Sequence, residues 1–167
     1  MNHMPGKMWD CPSRDWESYW SHNALWGTEQ YALMIGYMYY GGVAIWENPY
    51  HEFPDQRNPP VPRRIGDPGR RVLTSDVTGR VFGPWGGRPE DQWYVGGTPP
   101  HRGNDGLRPA GHNQSTLDGA VEWVDVDKLF AFHSWNKRPE EAFFFWQEEM
   151  GGWNPGANAR SWARNQP

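Results

Sequence analysis

The chain has little from which to build an aliphatic core. Leu, Ile, Val and Phe supply 25 of its 167 residues, about 15%, below the level of roughly 20% under which chains tend to stay disordered. Two other features oppose disorder. The net charge is only −4, and aromatic residues make up 16% of the chain with 12 Trp, where disordered chains usually carry a large charge and few rings. Cysteine occurs once, as Cys11, which excludes an intrachain disulfide and any Cys-rich zinc site and speaks against a small secreted module stapled by bridges. With a sequence pI near 5.8 there is no global basic field, so nucleic acid is not an expected partner.

Catalytic signatures are missing as well. The six histidines, at 3, 22, 51, 101, 112 and 133, stand singly, without the i,i+4 or His-x-His spacing that puts two ligands on one metal. The acidic pairs Asp125 with Asp127, Glu140 with Glu141 and Glu148 with Glu149 are too close in sequence to face one another across a glycosidase cleft. No Gly-x-Ser-x-Gly, phosphate-binding loop or dinucleotide fingerprint is present, and Asn113-Gln114-Ser115 is a glycosylation-type triplet with no secretory signal before it. Residues 1–10 carry one Lys and no apolar run, unlike a signal or transit peptide. The sequence therefore predicts no catalytic residue, no metal ligand and no cofactor: a protein that is not an enzyme.

What is abundant is Gly, Pro, Arg and Trp. Gly 20 and Pro 16 approach low-complexity levels. Thirteen Arg stand against three Lys, which fits cations stacked or paired at interfaces, because the guanidinium is planar and weakly hydrated; a GC-rich genome would give the same bias.

Along the chain, residues 1–27 read as a polar-aromatic head. Residues 31–46 form the longest uncharged apolar run. Extended backwards to Ala24 it spans about 34 Å as a helix, enough to cross a bilayer. Trp26 and Tyr31 at one end and Trp46 and Tyr50 at the other resemble interfacial belts, and Ala32 with Gly36 makes a small-xxx-small packing pair. A transmembrane helix over 28–46 is the expectation, although Tyr37, Tyr39 and Tyr40 need polar partners. Asn48-Pro49, Pro54, Pro59, Pro60 and Pro62 then enforce an extended Pro/Gly/Arg-rich arm over 47–119. Two short strands about a turn at Thr78-Gly79 are expected within 72–82, and a loop over 83–119. Residues 120–152 read as one short strand (120–126) followed by two short helices (128–135, and 139–150 opening on Pro139-Glu140-Glu141), before a tail over 153–167. The fold class expected is thus mainly irregular, with a few α-helices, one of them transmembrane, long loops and two short C-terminal helices.

Trp residues in every segment suit an extended subunit whose rings fill pockets on neighbouring chains, since Trp desolvates a large area at low entropic cost. The candidate interface anchors are Trp9, Trp16, Trp20, Trp85, Trp93, Trp146, Trp153 and Trp162, with much of the chain's order borrowed from its partners.

This layout of aromatic head, single span and Pro-stiffened exit resembles the single-span accessory subunits of mitochondrial respiratory complexes. Pro54-Asp55-Gln56-Arg57 is similar to the Pro-Asp-x-Arg that follows the span in the ESSS-type subunit of the complex I membrane arm, though Asn58-Pro59-Pro60-Val61-Pro62 replaces the charged helix that continues in that family. The resemblance implies a non-catalytic accessory subunit of the respiratory chain in the mitochondrial inner membrane, stabilising other subunits of a large membrane complex with lipids filling the gaps. A thylakoid complex is the near alternative. A soluble carbohydrate-binding module with an aromatic platform, or a virion structural protein, are the far ones; the scarcity of recognisable strands weighs against the sugar binder.

Overall fold

The computed structural model describes residues 36–43, 60–80, 83–86, 101–134, 142–154 and 156. They form two antiparallel sheets. The first, in order β1-β2-β4-β5, is built from Tyr37–Tyr39 (β1), Val72–Asp76 (β2), Gly111–Thr116 (β4) and Val121–Asp125 (β5); the second, β3-β7-β6, from Gly79–Arg80 (β3), Ala142–Phe145 (β7) and Phe130–Ser134 (β6).

The membrane-spanning helix expected over 28–46 is corrected by this arrangement. Tyr37–Tyr39 is a strand paired with β2, Tyr37 opposite Asp76 and Tyr39 opposite Thr74, and among the described residues no helix is long and apolar enough to cross a membrane. Glycines break any helix here: Gly42 takes φ +75°, and its N–H donates to the Pro62 carbonyl at 2.8 Å. The tyrosines favour a pleated, half-buried surface. Tyr40, fully buried, finds its polar partner in Ser75, with 2.7 Å between the hydroxyl oxygens. Of the helix-packing pair, Gly36 is buried and its carbonyl accepts the Val77 N–H at 3.1 Å, while Ala32 lies outside the described residues. Pro54-Asp55-Gln56-Arg57 lies outside them too.

The two C-terminal helices are corrected as well. Val126–Lys128 is one 3₁₀ turn, after which the chain extends into β6, and the Phe143-Phe144-Phe145 run is β7, the middle strand of its sheet. A strand buried on both faces carries a continuous apolar run, which periodicity alone does not separate from a buried helix. Phe144 packs on Trp85 (centroids 4.8 Å apart), whereas Phe145 meets Phe132 at 4.6 Å, Phe130 at 5.0 Å and Tyr40 at 5.5 Å. The described core is thus an aromatic cluster built within this one chain, to which both sheets contribute, with edge-to-face rings adding to simple area burial.

The expected strands of 72–82 are present in a different relationship: β2 and β3 do not form a hairpin but enter different sheets, with Val77 and Thr78 as the crossing point. Within the expected 83–119 loop lies β4, the longest of the described strands, paired on both sides. Its sequence, Gly-His-Asn-Gln-Ser-Thr, has no aliphatic residue, so the inward positions are filled by His112, Gln114 and Thr116, all buried. The β4-β5 turn fixes the register. Asp118 accepts from the Thr116 hydroxyl and the Ala120 N–H, and Gly119 takes φ +86°, the left-handed position that a short hairpin loop reserves for glycine.

Candidate functional site

Strand alternation sorts the first sheet into two faces. The inner face carries Ser75, His112, Gln114 and Val124, and a polar chain runs through it. The Thr78 hydroxyl lies 3.1 Å from His112 Nδ1, His112 Nε2 lies 3.3 Å from Gln114 Oε1, Gln114 Nε2 donates to Glu122 Oε1 at 2.8 Å, and Arg70 bridges Glu122 at 2.8 Å and Glu148 at 3.3 Å. This order of donors assigns the His112 proton to Nε2, with the Thr78 hydroxyl donating to Nδ1. Burial pushes the His112 imidazole down to about 4, against the opposing pull of Asp76 and the Gln114 bond, so the ring is neutral at ordinary pH.

The outer face is different. By register it bears Tyr39 on β1, Thr74 and Asp76 on β2, Asn113 and Ser115 on β4, and Val121, Trp123 and Asp125 on β5. At its centre the buried carboxylate of Asp76 gathers three donors: the Asn113 N–H at 2.8 Å, the Asn113 side-chain amide at 3.3 Å and His101 Nε2 at 2.9 Å. His101 reaches this point from the loop before β4 with φ +47°, a left-handed conformation uncommon for a side-chain-bearing residue. Its ring stands edge-on to Trp123, centroids 5.2 Å apart, while the Trp123 indole N–H donates to Asp125 Oδ1 at 2.9 Å. Gly111 lies beneath: a β-carbon there would come within 2.6 Å of Trp123 Cζ2. The indole is therefore laid on bare backbone and held from two sides.

A bulge extends this face at the other edge. Val72 pairs with Thr116 and Thr74 with Ser115, which leaves Leu73 as an extra residue in β2. Leu73 lines a groove of about 320 Å³ with Tyr39, Leu117, Ile65 and the neighbouring arginines Arg63 and Arg64. The turn presenting those arginines is pinned by Asp67, whose carboxylate accepts the Arg63 and Arg64 N–H groups at 2.6 and 3.1 Å; those two bonds hold its carboxyl below the usual range.

The exposed large hydrophobic side chains of the described residues are Tyr39 (58%), Ile65 (96%), Leu107 (61%), Val121 (74%) and Trp123 (45%). Three belong to the outer face by register. Ile65 lines its groove, and Leu107 sits in the turn that follows His101. No trio of His, Cys, Asp or Glu among the described residues is placed to hold a metal ion.

The candidate anchors fall as follows. Trp85 and Trp153 are buried inside this chain, Trp85 on Phe144 and Trp153 at 5.6 Å from Phe130. Trp146 is half-buried, with the Lys128 ammonium 5.8 Å above its ring. Trp9, Trp16, Trp20, Trp93 and Trp162 lie outside the described residues. Sequence reasoning passed over Trp123 and Asp76, read Asn113 only as the first residue of a glycosylation-type triplet, and saw His101 only as a lone histidine. A signal for Trp123 was present in the alternation Val121, Trp123, Asp125, which sets these three on one strand face.

No protein-family model, no curated protein and no solved structure matches this chain, so its function rests on this geometry.

Proposed function

We propose that the chain is a non-catalytic structural subunit that joins a larger assembly through the outer face of the β1-β2-β4-β5 sheet. The observation that carries this reading is the gathering of four of the five exposed large hydrophobic side chains of the described residues, Tyr39, Val121, Trp123 and Ile65, on that face or in the groove at its edge, where scattered single residues would need no explanation. Trp123 supports it further, because an indole already immobilised by Asp125, His101 and the backbone at Gly111 loses little entropy on docking. The central polar cluster acts as a brace: Asp76 spends its lone pairs on Asn113 and His101 and thereby fixes the loop that flanks the indole.

The test is the size of the particle that carries the chain in extracts of its native cells. A tagged chain migrates well above 19.3 kDa, and Val121→Asp with Trp123→Ala releases it to its own mass while far-UV circular dichroism and cooperative urea unfolding are retained. Wild-type chain found only at its own mass overturns the proposal.

A second reading uses the same ring. The strand-rich fold removes the objection to a carbohydrate platform, and Trp123 has the hydrogen-bonding side chain of Asn113 directly opposite it on β4. Soluble oligosaccharides that shift the tryptophan emission of the wild type but not of Trp123→Ala would favour it.

A further inference from the structure

We propose that the outer face docks on the outer face of a second copy of this chain across a two-fold axis, the Trp123–Asp125 end of each copy seated on the Tyr39 groove of the other. The inference rests on the assembly reading above and names the partner of that surface.

The argument starts from the two ends of the face. At the β5 edge stand an aromatic ring and a carboxylate, Trp123 and Asp125, both exposed; one Asp125 oxygen accepts the indole N–H, and the other has no partner among the described residues. At the β1 edge and the adjoining turn stand an aromatic ring, an apolar floor and a guanidinium: Tyr39, Leu73, Leu117 and Arg64. The ends are complementary in both respects, ring to apolar groove and carboxylate to guanidinium. Strands about 4.8 Å apart put β1 and β5, the outer two of four, about 14 Å from each other.

Two unlike patches on one face are self-complementary in a definite way. A two-fold axis lying in the interface and bisecting the line between them brings each patch onto its counterpart, so both contacts form twice in one closed dimer, the commonest arrangement of soluble oligomers. A heterologous partner would have to reproduce this pairing of charge and shape, whereas a second copy carries it already. Rigidity favours the same occupant. The indole lies over Gly111, and the turn bearing Arg64 is pinned by Asp67, so neither patch has to be ordered on binding. Sheets packed face to face sit about 10 Å apart, near enough for the rings and the ion pair to meet.

The area sets the strength. Strands of three, five, six and five residues, at about 3.4 Å per residue and about 4.8 Å apart, present a footprint of roughly 300 Å² per copy before the flanking turns are added. That lies in the class of small, reversible interfaces below about 1,200 Å² in total. A dimer in fast exchange at micromolar concentrations is the expectation.

The experiment is sedimentation velocity of the full chain from about 1 to 200 µM. Wild type should move from monomer to dimer across this range. Trp123→Ala removes the anchor from both copies of the contact and should weaken dimerisation ~1,000-fold, the size of two hot-spot truncations. Arg64→Asp and Asp125→Arg should each remain monomeric alone, since two like-charged contacts then oppose each homodimer. Mixed one to one they should dimerise again, because the mixed pair joins the native Asp125 to the native Arg64 at one contact and the reversed pair at the other. Arg64 is an exposed turn residue, so its variant keeps the fold; unchanged urea unfolding confirms it. Wild type that stays monomeric at 200 µM overturns the proposal, as does a dimer indifferent to these variants or a mixture that fails to recover. Where the variant lacking Val121 and Trp123 leaves the native particle but the purified wild type does not dimerise, the assembly reading stands and this inference alone falls.

Discussion

The Trp123 indole lies over Gly111 on the neighbouring strand, close enough that a β-carbon on Gly111 would stand 2.6 Å from Trp123 Cζ2 and collide with the Val124 carbonyl as well. One residue thus creates the seat for the other. Real side-chain carbons do not approach that closely, so even alanine must displace the ring or the strand. We expect Gly111→Ala to cost about 1–3 kcal/mol, the range of small overpacking substitutions, and to raise the mobility of the indole. Urea unfolding gives the first quantity. The second is read from tryptophan fluorescence anisotropy against a Trp123→Phe control, and an unchanged midpoint with unchanged anisotropy would contradict this placement of the ring.

Asp76 is a buried carboxylate satisfied by neighbours on one side of the sheet, the Asn113 backbone and side chain and His101. Asp76→Ala leaves the Asn113 N–H without its acceptor and frees the loop that bears His101. A loss of about 2–3 kcal/mol is expected, at the upper end for a charge-assisted hydrogen bond with a stranded donor. Asp76→Asn keeps the shape and should cost less. An Asp76→Asn that costs nothing in chemical denaturation would show that the charge contributes nothing, and losses equal to those of Asp76→Ala would show that the retained shape and acceptor contribute nothing.

Tyr40 joins the aromatic core to the first sheet through Ser75. Its phenol is held above the usual tyrosine range by burial, with the Ser75 bond opposing and the Asp76 charge reinforcing. In a spectrophotometric alkaline titration Tyr40 should therefore fail to ionise until the fold opens, and Tyr40→Phe should lower the amplitude of that late step by one tyrosine. The same substitution removes the Ser75 hydrogen bond while keeping the ring on Phe132 and Phe145, so its stability cost should be about 1 kcal/mol.

How much of this was readable beforehand depends on which signal each element carried. β5 was legible because Val121, Trp123 and Asp125 alternate with a buried Val124, and β2 because Val72 to Asp76 has strand-forming residues between turn signals. β4 was not, since its inward positions are His112, Gln114 and Thr116; a strand that buries polar groups has no hydrophobic period, and its stability lies in partners distant in sequence, such as Thr78 and Glu122. β7 misled for the opposite reason, with a Phe run that fills both faces. The 28–46 run misled because length and hydropathy outweighed Gly36, which stands just before β1, and Gly41 and Gly42, which turn the chain after it. The candidate site was hidden almost completely. Asp76, His101, Asn113 and Trp123 span almost fifty residues, and only the β2-β4-β5 register brings them together.

The final prediction concerns acid. His112 is fully buried, and its imidazole is lowered from 6.5 to about 4 in the folded chain. A group whose folded value lies below its unfolded value binds its proton more readily when unfolded. Acid therefore favours unfolding between those two values: this contribution is fully present above about pH 6.5, declines as the pH falls, and is gone below about pH 4, where both states are protonated. The difference corresponds to ~3 kcal/mol over the window. The carboxylates Asp67, Asp105 and Asp118 act at lower pH, because hydrogen bonds hold them below 3.8; their contributions are present above that value and fade as pH falls beneath it. The two effects are thus separable. Urea unfolding free energies measured at pH 7, 6, 5 and 4 should fall most steeply near pH 5 for the wild type. In His112→Gln, which keeps a polar side chain beside Thr78 and Gln114, the curve should be lower throughout but flatter from pH 6.5 to 4. If wild type and variant run parallel across that interval, His112 is not the group that acid attacks, and the neutral, doubly hydrogen-bonded ring at the centre of β4 is wrong.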